Sequence, residues 1–225
     1  MTEVLPRGGS QTLARGITAL KLVVAAPEGL TVHELAEALD VHRTIASRLL
    51  ATLADAALVS KGRDGRYRGA FGLLMLAGGA YSALRDAAMP HLRKLADSLG
   101  ATVSLLVADA GEAVAVSVVT ARDARYKIVF SEGSTHPLDR GAASYALLSL
   151  REPSPADSEK VIETRARGYA TSFSEVEPNA FGLAVPLALS TGAEACLNII
   201  SYQPDVIETS IAPMLAAARE LVRAL

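Results

Sequence analysis

The chain holds a single cysteine, Cys196, in 225 residues. One thiol can neither close an intrachain disulfide nor build a CxxC metal clip, and such sparing use of cysteine fits a reducing compartment. Charge of one sign is equally scarce, for the formal net charge is -2. A chain this close to neutral does not bind polyanions along its whole length, so any nucleic-acid surface has to be local. Long apolar runs are missing too. None approaches the roughly 18 residues of a membrane span, and the opening MTEVLPRGGSQT has no apolar signal core. The expected location is cytoplasmic, with no membrane partner.

Signatures of catalysis are also lacking. The four histidines, His33, His42, His91 and His136, show no HxxxH or HxxEH spacing, and no carboxylate pair stands beside them. There is no GxSxG elbow, no P-loop and no GxGxxG. No catalytic residue, metal or cofactor is therefore expected, and the chain is not expected to be an enzyme. Cys196 sits in an apolar strand and reads as a small buried hydrophobe. No internal repeat or low-complexity tract is present.

What the chain does have is hydrophobic mass: half of its residues are apolar, enough to core one large domain or two smaller ones. Its charge is unevenly spread. Met1 to Ala70 carries nine Lys and Arg against seven Asp and Glu, while the rest carries thirteen against seventeen. From His42 to Arg68 six basic residues face only Asp55 and Asp64, so that segment is +4.

Thr12 to Ala26 repeats apolar residues at Leu13, Ile17, Leu20 and Val24, near the helical period, which predicts a helix ended by Pro27-Glu28-Gly29. Thr31 caps a second helix, and Glu34, three residues on, completes a capping box. After Asp40-Val41-His42, the stretch RTIASRLLATL places Ile45, Ala46, Leu49, Leu50 and Leu53 on one arc and Thr44, Ser47, Arg48 and Ala51 on the opposite one. A merely solvated face is usually Glu, Lys and Gln, whereas this one is small, hydroxylated and cationic. Two short helices joined by a tight turn, the second with a polar contact face, describe a helix-turn-helix. Asp64-Gly65 then predicts a hairpin with a cationic tip, because Gly accepts positive φ without steric cost. It reads as a wing.

Phe71 to Arg85 reads as a linker helix containing Gly78-Gly79, and Pro90 as the start of a further helix reaching Gly100. Two strands follow around Asp109-Ala110-Gly111, and RYKIVF, 125–130, makes a third. The loop SEGSTHPLDR leads to a small-residue helix near Gly141 to Leu150, then a polar helix from Ser154 to Arg167. Strands in 180–190 and 194–202 and a final helix from Pro204 to Ala224 complete an α+β chain with an antiparallel sheet.

In motifs and their order, nearly the whole chain resembles the IclR family of bacterial transcription regulators. GLTVHELAEALDVHRTIASRLLATLADAALVSKGRDGRYR looks like the family's winged helix, and MPHLRKLADSLGATVSLLV like the opening of its effector-binding domain. GYATSFSEVEPNAFGLAVPL and the strand ending NIISYQP resemble that domain's later half. The resemblance implies a winged helix-turn-helix DNA-binding domain over 1–70, a linker helix over 71–87, and an effector-binding and oligomerisation domain over 88–225 of GAF/profilin-like α/β form. It implies operator DNA, a small-molecule effector, and assembly as a homodimer or tetramer.

The helix after His42 is then expected to enter the major groove, with Arg48 pairing to guanine, Thr44 and Ser47 reaching bases or phosphates, and Arg43 holding phosphate. On the wing, Lys61, Arg63, Arg66 and Arg68 are the expected phosphate contacts. The implied ligand pocket is lined by Ile128, Phe130, His136, Ala142, Ala143, Ser172, Ala180, Gly182, Asn198 and Ile200, and amides at the helix start near Gly141 could hold a carboxylate. An organic or aromatic acid or a derivative is the implied ligand. Relatives often carry Gly and Lys or Arg where this chain has Ser144 and Tyr145, and serines where it has Asn198 and Ile200, which implies a less polar ligand than small keto acids. A different class of function also accommodates the pattern: a small-molecule enzyme or sensor whose winged helix makes only protein contacts.

Overall fold

The computed structural model describes residues 9–79, 81–122 and 131–225. Two compact units divide the chain, Met1–Ala80 and Tyr81–Leu225, and the division falls inside the expected linker segment 71–87.

In the first unit, α1 (Gln11–Ala25), α2 (Val32–Ala38) and α3 (Arg43–Asp55) precede the antiparallel hairpin of β1 (Val59–Lys61) and β2 (Tyr67–Gly69). The expected capping box is present: Thr31 accepts from the Glu34 amide at 3.2 Å, and Glu34 accepts from the Thr31 amide at 2.8 Å. The chain must turn sharply before α2, and Gly29 does this at φ 73°, where a Cβ would come within 2.5 Å of the Tyr67 carbonyl oxygen. A backbone bridge from Leu30 to Tyr67 ties that turn to the hairpin. Ala19, Val23, Leu35, Ala46, Leu49, Leu50, Leu53 and Val59 form the core.

On α1, Leu13, Ile17 and Val24 are exposed, Ala19 and Val23 are buried, and Leu20 packs partly buried against the core. Small residues let α1 approach α3 closely, with Leu49 4.0 Å from the position a Cβ on Gly16 would take, so the larger apolar side chains turn out. Ile45, on the apolar arc of α3, lies at its exposed rim.

The expected single linker helix is two elements, α4 (Gly72–Gly79) and α5 (Ser82–Leu99), separated where the Gly78-Gly79 pair weakens the helix and Tyr81 takes a left-handed φ of 53°. Pro90 does not start a helix but lies inside α5. It faces solvent, so the carbonyl it leaves unpaired can reach water. Burial of Leu84, Ala88, Leu92, Leu95 and Ala96 holds both halves of the helix against one surface.

In the second unit, β3 (Thr102–Asp109), β4 (Glu112–Thr120), β5 (Thr135–Pro137), α6 (Ala142–Ser149), α7 (Glu159–Arg167), β6 (Ala170–Phe173), β7 (Phe181–Ala188), β8 (Glu194–Ser201) and α8 (Pro204–Ala224) follow. The strands form one antiparallel sheet in the order β5-β4-β3-β8-β7-β6. Side chains alternate across it. Leu105, Leu183, Leu197 and Ile199 pack with α5 and α8, whereas Leu106, Ala184 and Cys196 pack with α6 and Val161 of α7. The short edge strands β5 and β6 were not expected. The expected polar helix begins at Glu159 rather than Ser154, because Ser154 and Asp157 close a turn and Ser158 supplies the cap. The expected strand 125–130 lies outside the described residues.

Candidate functional site

Two surfaces carry the candidate chemistry, one in each unit. In the first, α3 buries Ala46, Leu49, Leu50 and Leu53 and exposes Arg43, Thr44, Ser47 and Arg48. His42 caps the helix by accepting from the Thr44 amide at 3.4 Å, and its Nδ1 lies 3.1 Å from the Thr44 hydroxyl. Since Nδ1 accepts, the Thr44 hydroxyl donates to it and keeps its lone pairs for an outside donor. The guanidinium of Arg48 lies on the exposed face one turn further on.

The four wing cations are not equivalent. Arg66 turns back onto α2, donating to both oxygens of Glu34 at 2.8 and 2.9 Å and to the Gly29 carbonyl at 2.9 Å. It staples the hairpin to the capping box. Those bonds, with the Thr31 amide first among them, bring the Glu34 pKa down to about 2. Arg68 forks onto Asp64 at 2.6 and 3.2 Å, and Asp64 is likewise lowered to about 2, chiefly by that pairing. Lys61 is exposed, its ammonium 5.7 Å from the centre of the Tyr67 ring, and Arg63 is exposed at the tip. Sequence patterning cannot separate the inward pair from the outward one, because the partners Glu34 and Asp64 are fixed only by the fold.

In the second unit a cleft opens beside the sheet, under the segment joining β6 to β7. It is shallow, with about 30 Å³ of water-sized space, within about 410 Å³ when its solvent-open mouth is counted. Of the expected pocket residues, His136, Ala142, Ala143, Ser172, Ala180, Gly182, Asn198 and Ile200 all line it. Ile128 and Phe130 lie outside the described residues. Register explains the convergence: Gly182 pairs with both Ser172 and Ile200, and Asn198 pairs with Ala184 and Ser104. Gly182 leaves room, since a Cβ there would meet the Ser172 hydroxyl at 2.7 Å.

Leu106, Gly141, Glu175, Val176, Glu177 and Phe181 also line the cleft and were not anticipated. The signal was the run SEVEPN, whose two carboxylates interrupt an otherwise small and apolar stretch. Gly141 precedes α6 at φ 90°, and a Cβ on it would lie 2.6 Å from Val176. Its amide donates to Glu175 Oε2 at 2.9 Å, and the Ala142 amide donates to the Ser172 hydroxyl at 3.0 Å. Two of the amides at this helix start thus hold partners from the chain itself.

Glu175 accepts further bonds from the Tyr145 hydroxyl and from Lys160. Burial works to raise its pKa, but the bonds from Lys160, Tyr145 and the Gly141 amide outweigh it, and the carboxyl is held below its ordinary range. His136 Nδ1 lies 3.1 Å from the Pro137 carbonyl, which can only accept, so Nδ1 carries a proton. Asn198 donates through Nδ2 to Ser104 at 3.4 Å. Burial pushes the Cys196 thiol far above its ordinary range, in keeping with a packing role. Among the described residues no cluster of three or more His, Cys, Asp or Glu is disposed to hold a metal, and no helix is long and apolar enough to cross a membrane.

Residues 12–62 match the model of the IclR helix-turn-helix domain. The HTH-type transcriptional regulator Rv1719 of Mycobacterium tuberculosis is 32% identical over 147 residues, which is 65% of this chain and 56% of that protein. The match thus spans little more than half of that relative's length. Among solved structures, IclR of Thermotoga maritima superposes with a TM-score of 0.74 at 22% identity, over 95% of this chain and 98% of its own. An IclR homologue of Microbacterium hydrocarbonoxydans, complexed with 4-hydroxybenzoate, gives 0.79 at 18% identity, over 95% and 100%. At these identities the structural likeness is one of fold.

Proposed function

The chain carries the helix-turn-helix domain of the IclR family on the fold of IclR transcription regulators, and from that premise we propose that it is a DNA-binding transcription regulator controlled by a small organic effector. The observation that carries the reading is the exposed Thr44, Ser47 and Arg48 face of α3, backed by a buried leucine and alanine face and flanked by the outward cations Lys61 and Arg63. Arg48 can fork onto guanine O6 and N7, and Thr44 and Ser47 can meet base edges or phosphates. Arg43, Lys61 and Arg63 hold phosphate and set register without reading sequence. Arg66 and Arg68 support the wing from within.

One winged helix covers one half-site, so specific binding needs a second copy about one helical turn of DNA away. The material for that contact is an exposed apolar surface in the first unit: Leu13, Ile17 and Val24 of α1 with Phe71, Leu74, Met75 and Leu76 at α4. The two helices adjoin at Gly69, whose Cβ position lies 3.0 Å from Leu73 and 3.5 Å from Val24. Patches of this kind on a water-exposed surface mark interaction sites.

The effector occupies the cleft of the second unit. To regulate, it must bind two arrangements of the assembly unequally, since equal affinity shifts nothing. Equilibrium binding to a duplex from just upstream of the chain's own coding region, measured at about 50 and 200 mM salt, tests the reading. Affinity should fall steeply with salt, and Lys61→Ala with Arg63→Ala should flatten that dependence by about two phosphate contacts. No binding at the lower salt, with turnover of a metabolite instead, overturns it in favour of an enzyme that uses its winged helix for protein contacts.

A further inference from the structure

The chemistry of the cleft wall narrows its ligand, and this rests on the effector-site reading above. The wall bears two carboxylates, Glu175 and Glu177, and among the described residues it bears no lysine or arginine. Lys160, the cation nearest to Glu175, lies behind it rather than on the wall, and its ammonium is committed to Glu175 Oε1. Glu177 accepts from the Tyr202 hydroxyl at 3.2 Å. His136, its Nδ1 bound to the Pro137 carbonyl, also lines the wall. Asn198, 4% exposed, gives one Nδ2 hydrogen to Ser104 and keeps Oδ1 as an acceptor beside its second N–H.

Three of the donors nearest the start of α6 are already engaged by the chain itself. The Gly141 amide is on Glu175, the Ala142 amide is on Ser172, and the Ser144 hydroxyl donates to the Pro137 carbonyl at 3.2 Å. A carboxylate ligand would have to displace Glu175 from an amide, a phenol and an ammonium, or lie beside two like charges in a partly desolvated cleft, where such repulsion is least screened.

We propose that Glu175 is a specificity-determining residue that fills the anion seat at the start of α6 with the chain's own carboxylate, so that the cleft takes a neutral or cationic hydrogen-bond donor, such as an alcohol, amide or amine on an apolar body, and rejects the corresponding acid. The apolar body lies against Leu106, Val176, Phe181 and Ile200. Its donor group faces Glu175, Glu177 and His136. The Microbacterium homologue, by contrast, is complexed with an acid, 4-hydroxybenzoate.

Three probes of one size and shape, benzoate, benzamide and benzylamine, test this by calorimetry and thermal shift on the full chain and on Glu175→Ala and Glu175→Gln. Glu175→Ala vacates the seat, and Glu175→Gln keeps it filled but uncharged. Benzoate should bind the native chain at least tenfold more weakly than the better of the other two probes, or not at all. Its affinity should rise at least tenfold in Glu175→Ala, with Glu175→Gln between, while benzylamine weakens in both variants or remains unbound. Benzoate binding to the native chain as tightly as benzamide and benzylamine overturns the proposal. So does a folded Glu175→Ala or Glu175→Gln that gains no benzoate. Binding of the native chain to duplex DNA, measured on the same preparation, keeps a failure here separate from failure of the regulator reading.

Discussion

Arg63 and Arg66 lie three residues apart on one hairpin, yet only Arg63 has its charge available to an outside anion. Arg66 is held by Glu34 and the Gly29 carbonyl, an arrangement that joins wing and capping box. The same network makes the first unit acid-sensitive in a definite direction. Glu34 titrates near 2 in the fold against an ordinary 4.5, so its contribution is complete above about pH 4.5 and is lost as the pH falls toward 2. Thermal unfolding followed at pH 6 and pH 3 should show a larger fall in Tm for the native chain than for Glu34→Gln. Parallel falls would remove Glu34 as the acid-sensitive group. At this scale the sequence disclosed the cap, because Thr31 and Glu34 are local to one another. It did not disclose the Arg66 pairing, which spans 32 residues of chain and exists only once the hairpin has packed.

Elements were most legible where a single signal governed them. The final helix runs from Pro204 to Ala224 as its periodicity predicts, and β3 and β4 turn about Ala110 and Gly111, both at positive φ. Elements were misread where two signals competed. Pro90 reads as a helix start in isolation, but the buried leucines on both sides of it carry the helix through. The α1 stripe shows periodicity without direction: Leu13, Ile17 and Val24 repeat like core residues although they face out. Their proximity to α4 is what the proposed contact between copies draws on. Leu74→Glu with Met75→Glu should therefore lower the mass found by sedimentation equilibrium and weaken DNA binding, with little change in monomer folding, since both side chains are more than 70% exposed. An unchanged mass would place the contact elsewhere.

For the whole molecule, the proposed function puts DNA contact and ligand contact in the two separate units, and control under that proposal requires that ligand binding bias the disposition of two winged helices. Eight of the ten expected pocket residues converge on one cleft, and the other two lie outside the described residues. The resemblance located the cleft, but its polarity came from the strap bearing Glu175 and Glu177, whose carboxylates meet the start of α6 only in three dimensions.

The account stands most directly on Arg48 reading a base. Equilibrium binding of Arg48→Ala to the upstream duplex and to an unrelated duplex of equal length isolates that role. The variant should lose about 1 to 3 kcal/mol on the upstream site and accept substitutions at one base pair there, with a much smaller loss on the unrelated duplex. An equal loss on both duplexes, or no loss on either, would contradict it.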